Sequence, residues 1–305
     1  MPNLHDIERR ISSVESTKQI TRTMQMVAAA KIRHAQERVD HATPYAEAMK
    51  ELLGNIARMG GTEAPLTMPH DEVKTTFVCV IVSDRGLAGG FNSNILRRAE
   101  RILKARKAEG KDVIVAVCGK KGIAYFAYRG IEPVLAFRDL SADPRVEQAD
   151  ALTDYVIENY LSGKIDEAIV LYNHSKNAAE QVPCTDQLLP IDLKSFLPDG
   201  YVFNVGGATE VDATSDEIEG SIEYEADEAE VLNHLLPEYI AGYFYYVLID
   251  SASAEQAARR NAMKTATDNA NDMIETLNRL YNRVRQGAIT TEINEIVGGA
   301  AALED

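Results

Sequence analysis

The chain has 305 residues, 45% of them hydrophobic, with 47 acids, 32 bases, a formal charge of −15, three cysteines and no tryptophan. That balance lacks the dense cationic surface of a nucleic-acid binder. Cys79, Cys118 and Cys184 form no CxxC pair, which excludes a zinc knuckle or thioredoxin-type centre and suits a reducing cytosol.

In chain order, residues 1–59 read as one helix. Leu4, Ile7, Ile11 and Val14 are spaced by three and four. After a polar stretch the pattern resumes at Met24, Ala28, Ile32, Ala35 and Val39 and runs on through Ala42, Ala46, Met49, Leu53 and Ile56, close to a heptad seam. Pro44 is expected to bend this helix without ending it, and Gly60-Gly61 to stop it.

A different pattern fills residues 70–226. Strands are expected at 75–82, 112–118, 131–137 and 167–172, and helices at 92–109, 120–128 and 144–161. Alternating strands and helices imply βαβ units and a mostly parallel sheet, so the centre is a Rossmann-like α/β domain. Residues 191–226 read as an acidic loop. The wider stretch 186–250 holds 15 acids and one base, Lys194, whereas the first 39 residues hold seven bases against four acids.

Residues 227–305 form a second long helix. It starts with an apolar and aromatic stretch in which Pro237 is a possible kink. A seam follows at Met263, Ala266, Ala270, Met273, Leu277, Leu280 and Val284. At 1.5 Å per residue the two helices are roughly 80 and 110 Å long, whereas a ~150-residue domain is about 40 Å across. The simplest arrangement pairs them as an antiparallel coiled coil that projects from the domain; the alternative packs both into an ordinary helical core. The second helix ends in an apolar run (Ala288, Ile289, Ile293, Ile296, Val297, Leu303) preceded by Arg279, Arg283 and Arg285, and an apolar tip needs a cover. No apolar run approaches the ~20 residues of a membrane span, so any membrane association goes through a partner.

Chemistry is hard to place. The segment from Ser83 to Asn94 lies between a strand and a helix, where phosphate loops occur. Its glycines, at 86, 89 and 90, do not match GxGxxG, and no GxxxxGK[ST] exists. The next strand ends in Cys118-Gly119-Lys120-Lys121, with no acid for a ribose hydroxyl. The bland reading is a tight turn with an Asn cap. The six histidines are scattered and there is no HExxH, so no cofactor or metal is expected. A Rossmann-type nucleotide-binding enzyme with helical dimerisation arms stands as the alternative to a structural role.

Three blocks carry a resemblance. Ile7–Gln36 (IERRISSVESTKQITRTMQMVAAAKIRHAQ), SDRGLAGGFNSN at 83–94, and SAEQAARRNAMKTATDNANDM at 253–273 with YNRVRQGAITTEINEIVGGAAAL at 281–303 closely resemble the gamma subunit of rotary ATP synthases. The resemblance implies a non-catalytic central-stalk rotor whose coiled coil enters a ring of alpha and beta subunits. The domain would then stand at the foot with epsilon and the c ring, peripheral to the cytoplasmic face of a bacterial inner membrane. It further implies contact with beta at Lys18, Arg22, Met24, Lys31, Arg285, Gln286 and Thr290. Ile293, Ile296, Val297 and Leu303 would sit in an apolar collar, and Tyr224 and Glu225 at the foot. The cysteine-pair insertion of the plant chloroplast form is not seen, so thiol control is not expected.

Overall fold

The computed structural model describes residues 3–58, 64–140, 143–197 and 228–304. The first periodic segment is one unbroken helix, α1 (Leu4–Arg58), with Pro44 inside it. The last is a 77-residue helix, α5 (Glu228–Glu304), which runs straight through Pro237 as helix. Between them the chain forms β1 (Thr75–Ile81), α2 (Phe91–Ala108), β2 (Asp112–Cys118), α3 (Lys120–Tyr128), β3 (Leu135–Phe137), α4 (Val146–Leu161), β4 (Glu167–Ser175), β5 (Gln181–Leu189) and a 3-10 turn at Leu193–Phe196.

The sheet order is β3-β2-β1-β4-β5. The first four strands are parallel, and β5 returns antiparallel to β4. β1 lies at the centre, with Val78 opposite Val115 on one side and Ile169 on the other. Its run of buried apolar residues reflects cover on both faces. One face carries α2 and α3, through Ile95, Leu96, Ala99 and Phe126. The other carries α4 together with the lower parts of both long helices: Leu53, Ile56 and Ala57 of α1, and Leu232, Leu236, Ile240, Phe244 and Val247 of α5. Each long helix is therefore a core element at its base and a projecting arm beyond it.

Three features differ from the sequence expectation. The third strand is three residues long rather than seven: residues 131–133 lie outside it, and Val134 is a bend whose N–H donates to the Val115 carbonyl (2.9 Å) just before the strand begins. β5 has no expected counterpart: its QVPCTDQLL sequence alternates weakly and carries Pro183, which marks an edge strand. The start of the acidic loop is packed, with Ile191 and Leu193 buried, whereas residues 198–227 lie outside the described residues.

The arms pair antiparallel. Tyr281 donates to Glu8 (2.8 Å), the hydroxyls of Thr21 and Thr267 are 2.8 Å apart, and Ser253 donates to Gln36 (3.4 Å). Glu8 to Gln36 and Ser253 to Tyr281 are equal intervals of 28 residues (36 − 8 and 281 − 253), so the pair keeps register. Lys18 and Thr21, half-buried, continue the α1 seam through the stretch that reads as polar. On α5 the line turned toward α1 runs through buried Met263, Thr267 and Ala270 and then half-buried Ile274, Leu277, Tyr281 and Val284, while Met273 and Leu280 are exposed. The expected alternation of threes and fours is present with its phase moved by one residue at alternate positions. Thr267 is buried because its hydroxyl finds the Met263 carbonyl and Thr21.

Small residues set how closely the arms approach. Ala28 is 1% exposed in the seam. Ala28→Leu is expected to overpack it at a cost of about 1–3 kcal/mol, read as a lowered urea midpoint. Ile20→Leu, on an exposed position, should leave that midpoint within about 0.5 kcal/mol.

Candidate functional site

In doubly wound sheets, ligands occupy the crevice beyond the carboxyl ends of the strands where connections diverge, here beyond β1 and β4. The segment Ser83–Gly90 borders this crevice. Ser83 donates its N–H to Asn92 Oδ1 (2.9 Å), and Asn92 Nδ2 returns a bond to Ser83 Oγ (2.7 Å). Asn92 thus closes the loop on itself, whereas the cap of α2 is Gly90, which makes no side-chain cap bond.

The outer side of the loop rests on α5. Ala88 and Phe91 pack on Ala254 and Ala258. Gly89 has φ 58°, and a Cβ there would lie 3.7 Å from the Ala262 methyl, so a small residue in left-handed backbone lets loop and helix touch. Arg259, almost fully buried, donates from Nη2 to the Gly86 carbonyl (3.3 Å) and pairs with Glu255 (2.6 Å), while its Nη1 donates to Gln256 (3.2 Å). At the end of β4, Asp250 of α5 is 1% exposed and accepts from Ser175 N–H (3.1 Å), with His174 Nδ1 2.8 Å from its other oxygen. The loop after β1 and the end of β4 are therefore both fastened to the protein's own helix, in a joint between shaft and sheet.

Burial pushes the Asp250 carboxyl up, and the bonds from His174 and Ser175 offset this only in part. At the other end of the sheet Asp166 goes down: burial opposes ionisation, but His70 and the N–H groups of Thr75 and Lys74 outweigh it. Asp166 ties the starts of β1 and β4, and Asp250 ties the end of β4 to the shaft. Among the described residues no cluster of His, Cys, Asp and Glu could hold a metal ion.

The shaft residues marked by the sequence fall into separate places. Met24 and Lys31 line a groove with Arg85, Leu87, Glu255 and Arg259, beside the joint. Lys18 is half-buried in the seam and Arg22 is exposed. Arg285, Gln286 and Thr290 are exposed on α5, with the Thr290 hydroxyl bonded to the Gln286 carbonyl (2.9 Å). Ile293, Ile296 and Val297 are exposed further on. Leu303 lies in α5, its side chain outside the described residues, as are Tyr224 and Glu225.

With α1 starting at Leu4 and Tyr281 opposite Glu8, the seam ends near Val284 and α5 continues alone. The tip is apolar on one side: Ile289, Ile293, Ile296 and Val297 are 48–66% exposed. At ~100° per residue, Ile289 lies about 140° around the helix from Val284. The stripe is thus no unfinished seam awaiting more of α1, but a second face toward a different surface.

The joint was partly legible. Glu255 and Arg259 stand at i,i+4, and Ala254, Ala258 and Ala262 at every fourth position. The pairing of Asp250 with His174 spans 76 residues and has no sequence signal.

Residues 3–303 match the family described as ATP synthase. Over 100% of both chains, the sequence is 40% identical to the ATP synthase gamma chain of Anaeromyxobacter sp. strain Fw109-5 and 39% identical to that of Chlorobaculum tepidum. A chain of the Euglena gracilis mitochondrial ATP synthase, solved with OSCP, F1 and c-ring, is similar in fold. The TM-score is 0.66 at 18% identity, covering 98% of this chain and 94% of that one. A chain of the Tetrahymena thermophila mitochondrial ATP synthase central stalk and c-ring gives 0.55 at 24% identity, covering 81% and 99%.

The Asp250 bonds yield a discriminating pair of variants. Asp250→Ala leaves the Ser175 N–H without its acceptor and is expected to cost about 1–3 kcal/mol. Asp250→Asn keeps an acceptor there and removes the buried charge, so it should stay close to the parent at neutral pH. A carboxyl raised in the folded state makes stability fall as pH climbs from the ordinary carboxylate range, near 4, through the raised value. That fall should be absent in Asp250→Asn, as read by urea unfolding across pH 4–8.

Proposed function

The chain belongs to the ATP synthase gamma-chain family, and we propose that the lone end of α5 is the part that meets the catalytic ring. As a gamma chain it is the central-stalk rotor subunit and is itself non-catalytic, the chemistry being on beta. The observation that carries the placement is the exposed stripe Ile289–Val297, turned away from the seam on a helix that has outrun its partner.

Around this shaft stand the alpha and beta subunits, with epsilon and the c ring at the foot of the α/β domain. Arg285, Gln286 and Thr290, just past the end of the seam, would touch the beta loop that catches the shaft. Lys18, Arg22, Met24 and Lys31 would face its acidic lever. Ile293, Ile296, Val297 and Leu303 would sit in the collar, and Tyr224 and Glu225 on the c ring. Residues 1–59 and 227–305 serve as the shaft and 70–226 as the foot domain. Among the described residues no helix is long and apolar enough to cross a membrane. Attachment to the cytoplasmic face of the inner membrane would run through the c ring, and the bacterial relatives support that setting.

Mechanically, the shaft is a rotating allosteric ligand. It shifts a beta site between open and closed only through contact energies that differ between the two states. Exposed ion pairs contribute about 0.2–1 kcal/mol each, so several contacts must change together as the shaft turns.

Arg285→Glu combined with Gln286→Leu is expected to lower proton-driven ATP synthesis by at least ~5-fold in the reconstituted enzyme, the low end of a usual coupling energy. Assembly should be intact, because neither side chain is buried. Synthesis at the parent rate would remove these residues from the beta contact.

A further inference from the structure

Where the base of the shaft meets the edge of the sheet there is a cavity of about 520 Å³. Its walls come from α1, β4, β5, the 3-10 turn and α5. Tyr45 belongs to α1, Tyr172 to β4, and Tyr239, Tyr243 and Tyr246 to one face of α5 at spacings of four and three. Five of the 13 tyrosines thus line one space. Gly242 is part of the same wall: a Cβ there would come within 3.1 Å of Tyr45 Cε1, so the ring of Tyr45 rests on the backbone of α5.

The charge in this cavity is negative. Asp186 of β5 accepts a hydrogen bond from the Tyr243 hydroxyl (2.9 Å), and Glu47 adds a second carboxylate against the single ammonium of Lys50. Asp186 is also hydrogen-bonded to Tyr172, and because a carboxylate has about four acceptor positions it has capacity beyond these two bonds. Burial, with Asp186 nearby, pushes the Tyr239 hydroxyl up to about 12 and that of Tyr243 well above its ordinary value. Tyr239 and Tyr243 are therefore neutral at physiological pH, so the aromatic lining of the cavity adds no charge to that of the carboxylates.

Aromatic faces with a carboxylate among them suit a soft, weakly hydrated cation whose carbon-bound charge can rest on rings. Hard inorganic cations want a shell of oxygens instead. The volume falls in the usual range for small-molecule sites. We propose that this cavity binds a small organic cation of the alkylammonium class, held by the tyrosine rings and countered by Asp186 and Glu47. Its occupant would touch α1, the sheet edge and α5 at once, so binding would brace the shaft base against the foot domain.

With no tryptophan in the chain, its emission is that of its 13 tyrosines, five of which line the cavity. The full-length chain is titrated at matched ionic strength with choline and with 3,3-dimethylbutan-1-ol, its uncharged isostere. Choline is expected to give a saturable change in emission and a raised melting temperature, with the alcohol at least ~10-fold weaker. Asp186→Asn and Tyr239→Leu should each weaken choline by roughly 10-fold, whereas Tyr239→Phe should keep binding because the ring remains. Equal binding of choline and the alcohol, no saturable change with choline, or an unaltered affinity in Asp186→Asn each overturns the proposal. Should Asp186→Asn fail to fold by circular dichroism, the isostere comparison on the parent chain and the Tyr239 pair decide it.

Discussion

The burial of the first turns of α5 against the sheet is the interaction on which the rest of this molecule depends. A helix of 77 residues has no intrinsic reason to hold one direction, since helical stability in water comes mostly from packing of a face. Here Leu232, Leu236, Ile240, Phe244 and Val247 are all fully buried in the core under the sheet. At about 1.5–3 kcal/mol for each large apolar side chain removed from water, these contacts outweigh anything an exposed ion pair on the shaft supplies. α1 is anchored alongside by Leu53, Ile56 and Ala57. Because the helix continues unbroken from core to tip, a turn of the foot domain is a turn of the tip.

The second hold on the shaft lies higher, at the joint, where α5 meets the loop after β1 and the end of β4. The crevice beyond β1 and β4 is bordered by free loop backbone and by the exposed ends of strands. In this chain the Gly86 carbonyl is satisfied by Arg259, and the Ser175 N–H by Asp250, both from α5. Gly89 takes the left-handed backbone that brings the loop against Ala262, and Ala88 packs on Ala254 beside it. The base contacts resist tilting of the shaft, while the polar bonds at the joint resist its rotation relative to the sheet. Directional bonds suit that second task because they lose energy when a rotation misaligns them.

Much of this was legible in the sequence, and the exceptions have physical causes. The lengths of the long helices and the parallel core of the sheet follow from periodicity and run length, which are local. The phase of the α5 seam does not. Ala266 and Thr267, or Met273 and Ile274, are neighbours on the helix surface, and the choice between them belongs to the facing helix. Thr267 is buried in place of a more apolar residue because Thr21 meets its hydroxyl, a pairing across 246 residues. β5 was hidden for a related reason: at a sheet edge with Pro183 in it, alternation is weak, and Arg98 bonding to the Pro183 carbonyl and Thr185 covers part of that edge. The site residues proposed at the tip rest on resemblance, whereas their position beyond the seam is a matter of register and needed the fold.

The two apolar faces of α5 divide its labour. The seam face, ending near Val284, is matched by a partner that never leaves, and it includes directional contacts such as Tyr281 to Glu8 and Thr267 to Thr21. The tip stripe, turned about 140° away, lacks such contacts to α1 and is built from Ile and Val. A surface that must slide past a ring cannot rely on hydrogen bonds or ion pairs, since each would create a preferred angle and a barrier between angles. Dispersion contacts are individually ~0.1–0.2 kcal/mol and non-directional, so they can be exchanged without a deep well at any angle. On the proposed placement, an apolar stripe would give a bearing that is held in place laterally yet free to turn, and the charged and polar side chains just below it, Arg285 and Gln286, would impose the angular preferences that a catalytic ring can read.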